Sequence, residues 1–118
     1  MNQEISDINS HLVPFTISSR ISDEEPTEEK EAILFCDYTQ IDEKNIKSLK
    51  WYKHDLEISN SKIENITIDG NQLKFSYLNH SIHNGLYKCQ IELTNDQILS
   101  SNIFNLTIYC MFFLALFH

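Results

Sequence analysis

From residue 31 onward the chain alternates apolar and polar side chains with period two, in short pieces parted by polar stretches. Successive side chains of an extended backbone point to opposite faces, so each piece can bury one face and wet the other. The pieces are residues 31–38 (EAILFCDY), 48–54 (SLKWYKH), 62–68 (KIENITI), 72–78 (QLKFSYL), 85–93 (GLYKCQIEL) and 98–109. Asp69-Gly70 marks a turn between the third and fourth. Further upstream, residues 11–18 (HLVPFTIS) place Val13, Phe15 and Ile17 on one side, and Pro14 fits there only at a sheet edge. Seven short strands at turn intervals of about 8–12 residues predict an all-β protein, a sandwich or a barrel. No helical stripe and no internal repeat competes with that reading.

A length of 118 residues suits one domain. Nine Lys and Arg against seventeen Asp and Glu give a net charge of −8. Nucleic acid, which needs a clustered basic patch, is therefore not an expected partner. Residues 20–31 hold six of the acids and two of the bases and read as a solvated, charge-rich connection. The organisation expected is a loose polar leader (1–10), a globular domain (11–109) and a short hydrophobic tail (110–118). Residues 108–117 (IYCMFFLALF) are ten consecutive apolar residues. As a helix at about 1.5 Å per residue they reach half-way through a bilayer, so no complete membrane span is expected. The tail is the start of a truncated span, residues foreign to the natural domain or, less favoured because so apolar an exposed strand would aggregate, a final strand that overruns. The first residues lack the basic start, apolar run and cleavage site of a signal peptide.

The three cysteines, Cys36, Cys89 and Cys110, form no C-x-x-C pair, so neither a zinc ribbon nor a thioredoxin-like site is expected. Cys36 and Cys89 both fall mid-strand, with the only tryptophan, Trp51, between them. Tyr87 precedes Cys89 by two residues, in the run His83-Asn84-Gly85-Leu86-Tyr87-Lys88-Cys89. In these features the chain resembles an immunoglobulin-like domain, of the I-set or a related type, over about residues 12 to 109. The resemblance extends to Trp51-Tyr52-Lys53 with Leu56, and to Leu73-x-Phe75. It implies a two-sheet antiparallel β-sandwich of about seven strands. It also implies a Cys36–Cys89 disulfide between the sheets, Trp51 packed on it, and Tyr87 bonding backbone at a corner. The cysteine spacing leaves little room for the extra edge strands of a variable domain. Two departures stand out. His83 replaces the family's usual Asp, so its pairing with a basic residue is absent, and the connection from Leu78 to Gly85 is one residue longer than usual.

No nucleophile elbow, phosphate loop, H-E-x-x-H or carboxylate pair is present, so no enzyme and no cofactor is expected. His80 and His83 would share a metal only if their turn were helical, and no third ligand has suitable spacing. They are expected to be surface histidines, and no metal site is assigned. With Leu49 and Trp51 facing inward, Lys50, Tyr52 and His54 face outward, joined by Lys88, Gln90 and Glu92 from the strand carrying Tyr87 and Cys89. The resemblance makes this outer face the candidate binding face, with Tyr52 as its anchor. On the other sheet Ile33 and Phe35 turn outward, to form a dimer patch for homophilic contact or, as favoured here, to be covered by the N-terminal segment. Asn65, Asn79 and Asn105 head N-glycosylation sequons. With eleven Asn and eighteen Ser and Thr, chance alone supplies about two such sequons. The function expected is an extracellular or cell-surface recognition module for a protein partner, in adhesion or receptor binding. The alternatives are an intracellular structural domain of a filament-type protein and a small secreted ligand or immune modulator.

Overall fold

The computed structural model describes residues 16–22 and 24–110. The leader, residues 11–15 and the tail beyond Cys110 lie outside the described residues. Among the described residues nine β-strands form two antiparallel sheets: β1 (Thr16–Ile21), β2 (Ala32–Thr39), β3 (Ile46–Lys53), β4 (Leu56–Glu57), β5 (Ile66–Asp69), β6 (Gln72–Phe75), β7 (Gly85–Leu93), β8 (Ile98–Ser100) and β9 (Phe104–Leu106). One sheet has the order β1-β2-β6-β5 and the other β4-β3-β7-β8, with β9 also paired to β7. A single turn of helix, α1 (His80–His83), joins the sheets between β6 and β7.

The period-two pattern sorts side chains as expected. Ala32, Leu34 and Cys36 of β2, Leu73 and Phe75 of β6, and Tyr87, Cys89, Ile91 and Leu93 of β7 are buried in one core with Trp51. Residues at the alternate positions of β2 and β7 are half-buried or exposed. On the outer face of β2, Phe35 lies under the Arg20 guanidinium at 4.3 Å. Arg20 is its register partner on β1 and is also ion-paired with Asp37. Arg20 thus covers Phe35 from the strand beside it, whereas the N-terminal segment expected to cover Ile33 and Phe35 lies, up to residue 15, outside the described residues.

Four readings of the sequence are revised. Residues 62–65 are not strand: Asn65 adopts a left-handed φ of 59°, which delays β5 until Ile66. The last strand is split, because the chain breaks rank after Ser100. Ser101 there closes a pair of hydrogen bonds with β7, its N–H donating to the Cys89 carbonyl and its hydroxyl accepting the Cys89 N–H. A two-residue edge strand, β4, pairs with Tyr52 and Lys53, where the cysteine spacing was expected to leave little room for an extra strand. Finally, residues 20–31 are not one solvated loop. Arg20 and Ile21 belong to β1, Pro26 is buried, and Thr27 makes a parallel bridge to Tyr109. Glu28 N–H donates to the Tyr109 carbonyl and Tyr109 N–H to the Pro26 carbonyl, both at 2.8 Å. The segment after β1 thus crosses to the second sheet and straps it.

Candidate functional site

The frame behind the outer sheet face is built around Cys36 and Cys89, whose sulfurs are bonded across the core with Cα atoms 6.0 Å apart. Trp51 is the register partner of Cys89 and is fully buried. Among the described residues its Nε1 is the one buried side-chain polar atom without a hydrogen-bond partner. Its contribution is therefore apolar bulk against the bridge, which outweighs an unmade bond costing about 1–3 kcal/mol.

The corner below the disulfide absorbs both departures noted in the sequence. The extra residue before Gly85 is taken up by α1, which Asn79 caps by accepting the Ser81 N–H at 2.8 Å. Its last residue, His83, is fully buried rather than on the surface. The ring accepts the Asn79 N–H at Nδ1 (3.0 Å), which leaves Nε2 to donate to the Glu64 carbonyl (2.5 Å). Phe75 meets the ring edge-on at 5.0 Å. A neutral imidazole thus performs the tie between this corner and the segment before β5 that a charged pair would otherwise make. Burial is the main influence that pushes the His83 pKa down. Tyr87 donates its hydroxyl proton to the His83 carbonyl at 2.6 Å, the backbone bond expected of it. Burial holds its phenol protonated far above the usual tyrosine range. Tyr87→Phe is expected to cost about 1–2 kcal/mol in urea unfolding, because the His83 carbonyl then loses a buried donor. An unchanged midpoint would show that the bond gives the corner no support.

Of the six face residues, five are brought together. Tyr52 lies between its register partners, Lys88 on β7 and Glu57 on β4. The Lys88 ammonium is 6.0 Å from the Tyr52 ring centre and 3.1 Å from Asp55. Lys50 is 3.9 Å from Glu57, and Gln90 donates to the Ser100 hydroxyl at 3.0 Å. Glu92, higher on β7, pairs with Lys47 at 3.6 Å. Such exposed pairs contribute at most about 1 kcal/mol each, so they align these side chains without locking them. His54 is placed elsewhere. β3 ends at Lys53, and His54 occupies the following turn with a left-handed φ of 51°. Its ring lies across Gly85, where an added Cβ would sit 2.7 Å from His54 Nε2 and from Lys53 Cε. Gly85 lets two flexible side chains cross the start of β7. The exposed Leu86, at the lower end of the face, had no place in the sequence reading. It is the register partner of Asn105 on β9.

The sequons differ in accessibility. Asn105 is exposed, flanked by half-buried Phe104 and buried Leu106 as expected. Asn65 and Asn79 are only half-buried to half-exposed, and Asn79 already uses its side-chain oxygen as the α1 cap. His80 and His83 point apart: His83 enters the core, whereas His80 is ion-paired with Glu28.

Sheet order, disulfide, central tryptophan and tyrosine corner together decide the comparison with known folds. The chain has an immunoglobulin-like fold. Solved structures that share it include murine CEACAM1b, at TM-score 0.64 and 17% identity, over 79% of this chain and 44% of that one. The full ectodomain (Ig1–Ig3) of mouse nectin-like molecule 4 matches at TM-score 0.64 and 17% identity, over 81% of this chain and 30% of that one. Chimeric titin Z1Z2, functionalized with an exogenous decorin peptide, matches at 0.54 and 13%, over 82% of this chain and 96% of that one. This immunoglobulin-like chain therefore spans less than half of the first two structures. No protein-family model matches the sequence, and no curated protein matches it either.

Proposed function

We propose that this immunoglobulin-like domain is a non-enzymatic recognition module, of the I-set or a related type, working in an extracellular or cell-surface setting. The carrying observation is the outer face of the β4-β3-β7-β8 sheet, where Tyr52 stands among Lys50, Lys88 and Gln90 on rigid neighbouring strands. An amphipathic ring bordered by charges of both signs suits a protein partner, and aromatic anchors of this kind dominate interface energetics. The disulfide favours an oxidising compartment. Ectodomain structures among the neighbours agree with that setting, while the titin neighbour keeps the filament-domain reading as the second one. Adhesion or receptor binding is the role that fits, and a homophilic contact through the same face is included in it. Among the described residues no helix is long and apolar enough to cross a membrane.

Two measurements test this reading. The chain made through a secretory route should, by intact mass, contain one disulfide and carry glycan on one or more sequons, Asn105 being the most accessible. Reduced Cys36 and Cys89 with empty sequons would turn the assignment toward the filament-type domain. A multimerised domain applied to a panel of cells, and to itself, should bind, and Tyr52→Ala should weaken that binding at least about tenfold, as expected of an anchor residue. Undiminished binding would remove the face from the proposal. A glycan on Asn105 would border Leu86 and restrict the interface to the upper part of the face.

A further inference from the structure

Three ligand-bearing side chains, distant in sequence, converge where the chain leaves its last strand. Glu28 belongs to the strap after β1, His80 opens α1, and Cys110 follows Tyr109. A ring nitrogen of His80, the Cys110 Sγ and a Glu28 carboxylate oxygen all lie within 4.8 Å of one another. His80 Nδ1 contacts Glu28 Oε2 directly, and Cys110 Sγ is 3.9 Å from Glu28 Oε1. The backbone fixes this meeting before any ion enters. Glu28 N–H is bonded to the Tyr109 carbonyl next to Cys110, and Glu29 N–H to the Leu78 carbonyl close to His80.

We infer that Glu28, His80 and Cys110 form a binding site for a zinc ion. A thiolate, an imidazole and a carboxylate are the ligand types that Zn²⁺ takes, whereas Ca²⁺ and Mg²⁺ select all-oxygen sets. Tetrahedral Zn²⁺ at about 2.0–2.3 Å from its ligands separates donor atoms by about 3.2–3.7 Å. To reach that spacing Glu28 and His80, now in direct contact, move apart, while Cys110 Sγ, 3.9 Å from Glu28, is almost in place; the exposed His80 side chain has the freedom for this. With the thiol deprotonated the three ligands carry two negative charges, which cancel those of the ion. His80 is half-exposed, so water has access to the fourth position. Bound there, the ion would clamp strap, corner helix and chain exit to one another. The three residues stand in no recognisable spacing, because only the sandwich topology unites them. The site is independent of the recognition face, and its failure would leave that reading intact.

The test uses the full chain with Cys110 reduced by a mild thiol. The buried Cys36–Cys89 bond is shielded from that reductant. Titration with Co²⁺ should give a one-to-one thiolate-to-metal charge-transfer absorption that Zn²⁺ displaces. Cys110→Ser should abolish the band, and Glu28→Gln and His80→Gln should each weaken Zn²⁺ binding at least about tenfold. Near-ultraviolet dichroism from Trp51 reports whether each variant is folded. In the unmutated chain Zn²⁺ should slow alkylation of Cys110, a readout that needs no variant. Absence of the charge-transfer band, affinity unchanged by the substitutions, or alkylation at the same rate with and without Zn²⁺ would overturn the site and leave only a His80–Glu28 ion pair. Recovery of Cys110 in an intermolecular disulfide from zinc-replete expression would also overturn it.

Discussion

Replacing Cys36 and Cys89 together by alanine is expected to remove about 4 kcal/mol of stability. The bridge closes a loop with a sequence separation of 53. The chain-entropy model assigns about 4 kcal/mol to constraining an unfolded chain over that distance. Small domains have only about 5–15 kcal/mol in total, so between about a quarter and four-fifths of the folded state's margin would go. The loss has a second source, because both cysteines and Trp51 are fully buried in one cluster. Truncated side chains would leave space beside the indole that surrounding strands fill only in part. Urea unfolding monitored by Trp51 fluorescence should show a greatly lowered midpoint. A midpoint within a few tenths molar of the unmutated domain would mean that the apolar packing alone holds the sheets together.

Stability should also fall as the pH drops below about 6.5, the ordinary histidine value, with His83 responsible. Burial lowers its folded-state pKa, while in the unfolded chain the ring titrates normally. Between those two values the unfolded state binds a proton that the folded state does not. The stabilisation is therefore complete above about pH 6.5 and declines by about 1.4 kcal/mol per unit as pH falls toward the lowered folded value. Protonation in place would also turn Nδ1, which accepts the Asn79 N–H, into a donor facing a donor. Denaturant titrations between pH 5.5 and 7.5 check the slope in a range where most carboxylates stay ionised. His83→Leu should flatten that slope and cost about 2–4 kcal/mol at neutral pH, since the Asn79 N–H and the Glu64 carbonyl lose their buried partner. An unchanged slope in the variant would assign the acid sensitivity to another group.

The sandwich, its disulfide and the tyrosine corner are legible because each depends on residues that act through periodicity or through a spaced set along the chain. Ala32, Leu34 and Cys36, or Tyr87, Cys89 and Ile91, reveal their inward side simply by alternating. What stays illegible depends on pairs whose separation has no rule. Nothing local says that Pro26–Glu28 will lie beside Tyr109, since that contact arises from the path of the strap between sheets. A polar His83 looks like surface until Asn79 and Glu64 supply both hydrogen bonds that let it be buried. Likewise β5 starts late because Asn65 takes a left-handed turn, which asparagine tolerates but does not announce. The binding face is intermediate. Alternation places Lys50, Tyr52, Lys88 and Gln90 on it correctly, and it misplaces His54 because β3 ends one residue earlier.

The brevity of β4 has a colloidal consequence. It covers β3 only at Tyr52 and Lys53, so among the described residues the edge from Ile46 to Leu49 faces no neighbouring strand. Open edges of this kind template the stacking of one molecule on another. The bulge between Ile46 and Ser48 interrupts the regular ladder there, and Lys47 and Lys50 place charge along the same stretch. A net charge of −8 adds mutual repulsion at a distance. Resistance to stacking at this one edge therefore rests on two lysines, one irregularity and the net repulsion between molecules, and salt that screens the charges leaves only the irregularity to resist it.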